Sequence, residues 1–186
     1  MKRNFRLMTV LLTLGLPFAA AAVEVPKTPS PLIDKVRAAT ERYKDVNVAI
    51  AEGWVPGTPC VSGPNSGAMG VHFILPPLGA GLPPPRIGDG VVNASEPEAL
   101  IYEPLPGGQV RLVGVEFIVL AGQWSTLHPD GSPPVLEGHL MNLVSAPNRY
   151  GLPAFFELHV WAWARNPNGS FADWNSIVSC DKQPVG

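Results

Sequence analysis

The sequence is poor in charge. Asp, Glu, Lys and Arg make up 15% of its 186 residues, and past residue 22 no basic cluster is visible. Binding to a nucleic-acid backbone needs such clusters, so nucleic acid is not an expected partner. There is no Gly-x-Ser-x-Gly element, and SGPNSG (Ser62 to Gly67) is turn chemistry without a nucleophile elbow. GLPPPRIGDG (Gly81 to Gly90) lacks the Lys-Ser/Thr of a phosphate-binding loop, and neither His-Glu-x-x-His nor His-x-x-Glu-His occurs. Two cysteines without a Cys-x-x-Cys argue against thiol redox chemistry or a thiolate metal site. Past residue 22 no apolar run reaches the roughly 20 residues of a membrane span.

The chain opens on MKRNFRLMTVLLTLGLPFAAAA. Lys2, Arg3 and Arg6 precede an apolar stretch, and Ala20 and Ala22 stand ahead of Val23, which is the layout of a secretory signal peptide over residues 1–22. Its removal leaves 10 basic residues against 15 acidic, a net charge of −5, in a single domain of about 164 residues. A periplasmic or secreted location is expected. Cys60 and Cys180 would then sit in an oxidising compartment, where a pair has one intramolecular connectivity.

Residues 23–30 read as a Pro-rich lead-in, and the domain as 31–186. Ser30-Pro31 forms a helix start, and Ile33, Val36, Tyr43, Val46 and Ile50 recur at helical spacing until Gly53 stops them. One amphipathic helix over about 31–52 is predicted. GVHFIL, ALIYEP, QVRLVGVEFIVLA and AFFELHVWAWA follow as strands, with PVLEGHLMNLV weaker and a turn at Gly107-Gly108. Between them PPLGAGLPPPRIGDG, about 76–90, is too rich in Pro and Gly for a ladder and reads as an insertion rather than a flap over a site. The expected fold class is α+β: the helix packed on a strongly curled antiparallel sheet or small β-barrel.

Four titratable residues lie inside apolar strands: His72, Glu116, Glu157 and His159. In strand alternation Leu112, Gly114 and Ile118 share the Glu116 face, while Val113, Val115, Phe117 and Val119 occupy the other. Glu157 and His159 emerge on one face about 6 to 7 Å apart, close enough for both to reach one ion. Two imidazoles and two carboxylates suit a divalent transition metal such as Zn, Mn, Fe or Cu. Glu103, Tyr102 and Trp161 are further candidates for the same cavity, and Trp163 is either pocket floor or a contact with the helix. The alternatives are His–Glu pairs satisfied within the core, or an acid/base pair acting on an organic ligand. His128 and His139 read as surface residues.

The segments GWVPGTPCVSGPNSGAMGVHF, PEALIYEP, RLVGVEFIV and PNRYGLPAFFELHVWAWARNPNGSFADW…VSC resemble a family of small exported bacterial proteins of unassigned function. The likeness runs from about Ala39 onward, with 76–89 as its least typical part. It implies a secreted single domain with the Cys60 and Cys180 pair, and it supplies no catalytic residue. Glu157-x-His159 has the two-residue step of the cupin His-x-His but another first residue and ligand order. Only the idea of a metal inside a barrel is borrowed from that comparison.

The leading expectation is thus an exported protein holding a divalent metal in a barrel-like interior, with possible redox or hydrolytic chemistry on a small molecule. A non-catalytic module binding an apolar small ligand in an aromatic-lined cavity is the alternative. A third reading is an envelope protein that meets a partner through the 76–90 insert.

Overall fold

The first apolar repeat does not make one helix. In the computed structural model, which describes residues 30–79 and 84–183, the chain forms α1 (Pro31–Thr40), a 3₁₀ turn (Glu41–Lys44) and α2 (Val46–Ala51). Asp45 is the reason for the break. Its backbone is extended, at φ −87° and ψ 106°, and its side chain accepts from the Asn47 N–H at 3.0 Å, so it caps a new helix where the old one would have continued. Gly53, at φ 92°, supplies the expected stop. The signal peptide, the lead-in up to residue 29 and residues 80–83 of the insert lie outside the described residues.

The remainder is mostly sheet. The strands are β1 (Val55–Pro56), β2 (Val61–Gly63), β3 (Gly67–Ile74), β4 (Ala99–Pro104), β5 (Val110–Leu120), β6 (Val135–Leu136), β7 (His139–Leu140), β8 (Asn142–Val144) and β9 (Phe155–Val160), with a short α3 (Ala121–Leu127) after β5. An antiparallel sheet runs in the order β1-β3-β4-β5-β9-β8, with β2 also paired to β3, while β6 and β7 form a separate ribbon. The sheet ends on β1 and β8, of two and three residues, which do not pair with each other. It is neither closed nor strongly curled, so the curled-sheet or barrel expectation is corrected to an open sheet with a few short helices. PVLEGHLMNLV is correspondingly not one strand but the two-residue partners β6 and β7 followed by β8.

The two faces of the sheet differ. Val71, Phe73, Leu100, Tyr102, Val115, Phe117, Leu158 and Val160 form one apolar cluster with Leu32, Val36, Tyr43, Ala49 and Trp54 of the helical segment. The opposite face carries His72, Glu116, Glu157 and His159, flanked by two smaller clusters around Ile101 and Ile118. A bulge alters the expected alternation in β5. Ile101 pairs with Gly114 but Tyr102 pairs with Leu112, leaving Val113 as the extra residue. Leu112 therefore joins the helix-side cluster and Val113 the other one, the reverse of strict alternation.

A Cys60–Cys180 disulfide ties the segment after the helices to the end of the chain, with Cα atoms 5.6 Å apart. Among the described residues no helix is long and apolar enough to cross a membrane.

Candidate metal centre

Register sets the centre. Glu116 on β5 lies opposite His159 on β9 and opposite Ala99 on β4, and Glu157 stands two residues before His159 on the same face. His72 stands on β3 opposite Ile101, and its Nε2 comes within 3.1 Å of Glu116 Oε2. The other Glu116 oxygen lies 4.0 Å from His159 Nε2. Relative exposures are 3% for His72, 3% for Glu116, 5% for Glu157 and 0% for His159, so water does not solvate these groups.

All four residues named from the sequence are thus brought together, and a fifth joins them. Asp173, in the loop after Gly169, places Oδ1 3.7 Å from His159 Nδ1. The donors fall into two triads, His72–Glu116–His159 and Glu157–His159–Asp173, with the ligand atoms of each within 4.8 Å of one another. This buried His/Glu/Asp cluster could hold a metal ion. Two donors on a first-row ion in tetrahedral geometry sit about 3.3 Å apart, a spacing that the 3.1 and 4.0 Å separations of Glu116 from the two rings bracket.

The hydrogen-bond pattern distinguishes the cluster from an ordinary buried polar network. His72 Nε2 and both ring nitrogens of His159 have no hydrogen-bond partner among the described residues. The 3.1 Å contact of His72 with Glu116 is close but not aligned for a hydrogen bond. The other nitrogen of His72, Nδ1, lies 3.3 Å from Thr58 Oγ1, an oxygen that also accepts from the His72 backbone N–H. With the ring proton on Nδ1 toward Thr58, Nε2 carries the free lone pair. An outer partner of this kind fixes the tautomer of a metal-ligating imidazole.

Burial also decides protonation. It lowers His72 to about 4 and His159 to about 3, the latter with a further push from His72, so both rings are neutral at pH 7. Burial raises Glu116 to about 7 and Glu157 to about 9, and the Glu116 charge adds to the second shift. The two carboxyls are coupled, since the Glu116 charge opposes ionisation of Glu157, and this favours a proton on Glu157. Asp173, half-buried, is raised as well, first by burial.

Comparison with models of known protein families, with curated proteins and with solved structures gives no match.

The other candidates fall outside the cluster or serve as its walls. Tyr102 is on the helix side, its hydroxyl donating to the Tyr43 carbonyl at 2.7 Å. Glu103 is paired with Arg111 and accepts from the Ser179 N–H. Trp161 is stacked beside His159, ring centroids 6.3 Å apart, with its indole N–H donating to Ala172 O. Trp163 leaves the strand and donates to Thr40 Oγ1, which makes it the helix contact. His128 and His139 are half-buried, the first stacked on Trp124 and the second packed at a tilt against Phe171. Asp173 and Thr58 were not legible as site residues: each lies in a turn-rich loop where no periodicity assigns a direction. A carboxylate close behind the His159 strand was the only available signal.

One end of the site is an apolar cavity of about 120 Å³. His72 and Glu116 form its buried floor, and the half-buried Thr58, Pro84 and Tyr150 stand at its mouth. Ile87, from the described part of the insert, is buried against Ile118 and Phe155 and lines the same cavity.

Proposed function

We propose that this protein binds one divalent first-row transition metal ion through His72 Nε2, Glu116 and His159 Nε2. The observation that carries the reading is the set of three buried imidazole nitrogens left without hydrogen-bond partners beside a carboxylate pair. Buried polar atoms are rarely left unpaired, since each costs about 1 to 3 kcal/mol. Protons on Glu116 and Glu157 remove the charge of the carboxylates but do nothing for these nitrogens. A cation between Glu116 and the two rings takes up His72 Nε2 and His159 Nε2, which leaves His159 Nδ1 facing Asp173 Oδ1 at 3.7 Å.

Nitrogen and oxygen donors without thiolate favour Zn²⁺, Mn²⁺, Fe²⁺ or Cu²⁺ over softer ions. One ring cannot direct both nitrogens to the same ion, so the Asp173 triad is a separate arrangement that shares His159. Its Asp173 side chain is 35% exposed, and it offers a route by which an ion passes from solvent to the buried triad. When bound, the ion supplies Lewis-acid chemistry, or redox chemistry if it is Fe or Cu, beside the apolar cavity. Thr58 holds the His72 ring and Trp161 walls His159; their part is to orient the donors.

The test is elemental analysis of untagged protein, followed by equilibrium dialysis of chelator-treated protein against Zn²⁺, Mn²⁺, Fe²⁺ and Cu²⁺. Uptake near one equivalent, lost in a folded His72→Ala variant, is expected. Folded wild-type protein that takes up none of these ions overturns the proposal.

A further inference from the structure

The cavity over His72 and Glu116 has walls of one kind only. Ile74, Ile87, Ile118, Leu152 and Phe155 surround it, and its polar groups are confined to the floor and to Thr58 and Tyr150 at the mouth. No Lys or Arg lines it among the described residues. A phosphate or dicarboxylate would therefore enter without a compensating charge, and such ligands are excluded on desolvation grounds. The volume, about 120 Å³, is also too small for a nucleotide or sugar. An enclosed apolar cavity of about 150 Å³ holds benzene; this one is smaller but open at the Thr58 and Tyr150 mouth, so a single ring is the largest ligand it takes.

We infer that this cavity binds a small monohydroxylated aromatic, a phenol, with its ring against the isoleucines and Phe155 and its oxygen toward His72 and Glu116. The inference rests on the metal reading above, and it specifies the ligand class of that same site. A divalent ion held by the Glu116 carboxylate and two neutral imidazoles keeps one positive charge, which suits one further anionic oxygen but not two, so one donor atom is the limit. The ring fits the walls: Tyr150 and Phe155 already meet edge to face, with centroids 6.0 Å apart, and a third ring extends this packing. A ligand of about seven heavy atoms sustains a dissociation constant on the order of 0.1 to 1 mM.

Cobalt-loaded protein provides the test, because the visible absorption of Co²⁺ reports on its surroundings independently of turnover. Phenol is titrated into it, with binding confirmed by calorimetry and with 2-naphthol as an oversized probe. The expected result is a saturable spectral change with phenol and at least tenfold weaker binding of 2-naphthol. Leu152→Trp, at the half-buried cavity wall, and Ile74→Phe as a second variant, should each weaken phenol at least tenfold while cobalt affinity stays within twofold. Cobalt uptake with no response to phenol at 10 mM, on the order of ten times the weakest expected dissociation constant, overturns the ligand assignment and leaves the metal reading standing. So does unchanged phenol binding in both filled variants. Failure to take up cobalt or any of the four ions above overturns both; if another of these ions binds, the calorimetric titration of phenol is read on that form.

Discussion

Replacing His159 by Leu should make the metal-free protein more stable and the metal-loaded protein less stable than the wild type. The imidazole is fully buried, and without an ion its ring N–H lacks an acceptor and its lone pair a donor. Each such group costs about 1 to 3 kcal/mol, while a volume-conserving apolar replacement costs under about 1.5 kcal/mol in misfit. The net expectation for the chelator-treated variant is a gain of about 1 to 2 kcal/mol, or about 2 to 8 °C in Tm for a domain of this size. The gain should widen in acid. Burial holds His159 at about 3 when folded, below the ordinary 6.5, so the unfolded chain binds the proton first and wild-type stability falls as pH drops below 6.5. At pH 5 that loss reaches about 2 kcal/mol, and Leu removes it. With an ion at 100 times its dissociation constant the wild type gains about 2.7 kcal/mol and the variant none, so the order of stability reverses. Thermal melts in chelator and in excess Zn²⁺, with near-ultraviolet circular dichroism as the fold control, read both limbs. A variant less stable than wild type in chelator, together with a wild type that ignores zinc, would refute the reasoning and make His159 ordinary core.

Thr58→Val should weaken metal binding about 10- to 100-fold in equilibrium dialysis of folded protein, because it removes the outer partner of the His72 ring, and should also destabilise metal-free protein by about 1 to 3 kcal/mol, because the same oxygen accepts from the His72 backbone N–H. Glu98 is buried, and burial raises it well above 4.5 although its carboxylate accepts from the Ile118 N–H at 2.9 Å. The folded state thus holds the proton more tightly than the unfolded chain, and stability is lost as pH rises from about 4.5 toward the folded value. Glu98→Gln, which keeps the acceptor, should flatten the difference in urea midpoint between pH 5 and pH 8; an unchanged slope would show that Glu98 titrates normally. Reducing the Cys60–Cys180 disulfide, whose partners are 120 residues apart, should cost about 5 kcal/mol in the chain-entropy model, measured by urea unfolding with and without reductant.

The clustering of His72, Glu116, Glu157 and His159 was legible because a titratable group inside an apolar strand has no cheap alternative to a partner. Period-2 alternation placed Glu157 with His159, and the register of β5 against β9 set Glu116 opposite that pair. The architecture around them was not legible to the same degree. Closure of a sheet depends on whether its edge strands meet, and β1 and β8 are too short to announce themselves in composition. The bulge at Val113 leaves no mark in a run where both faces are apolar, so Leu112 and Val113 exchange sides unseen. The helix break at Asp45 was hidden for a similar reason: the apolar spacing continues through it, and only the cap geometry separates α1 from α2.

An open sheet changes what encloses the site. In a barrel, strands would surround the four groups; here the strands supply one wall and loops supply the rest. The Asp173 loop lies beside His159, Tyr150 and Leu152 stand over the cavity, and Pro84 and Ile87 come from the Pro/Gly-rich segment. Residues that hold the donors therefore sit on rigid β3, β5 and β9, whereas residues that admit or exclude a ligand sit on loops. Loops tolerate sequence change far better than paired strands. It follows that substitutions at Leu152 or Ile87 should alter what enters the cavity without altering the donor set. Substitutions at Ala99 or Gly114 should do the reverse: a Cβ added at Gly114 would fall 2.7 Å from the Val160 carbonyl and displace β9 together with His159.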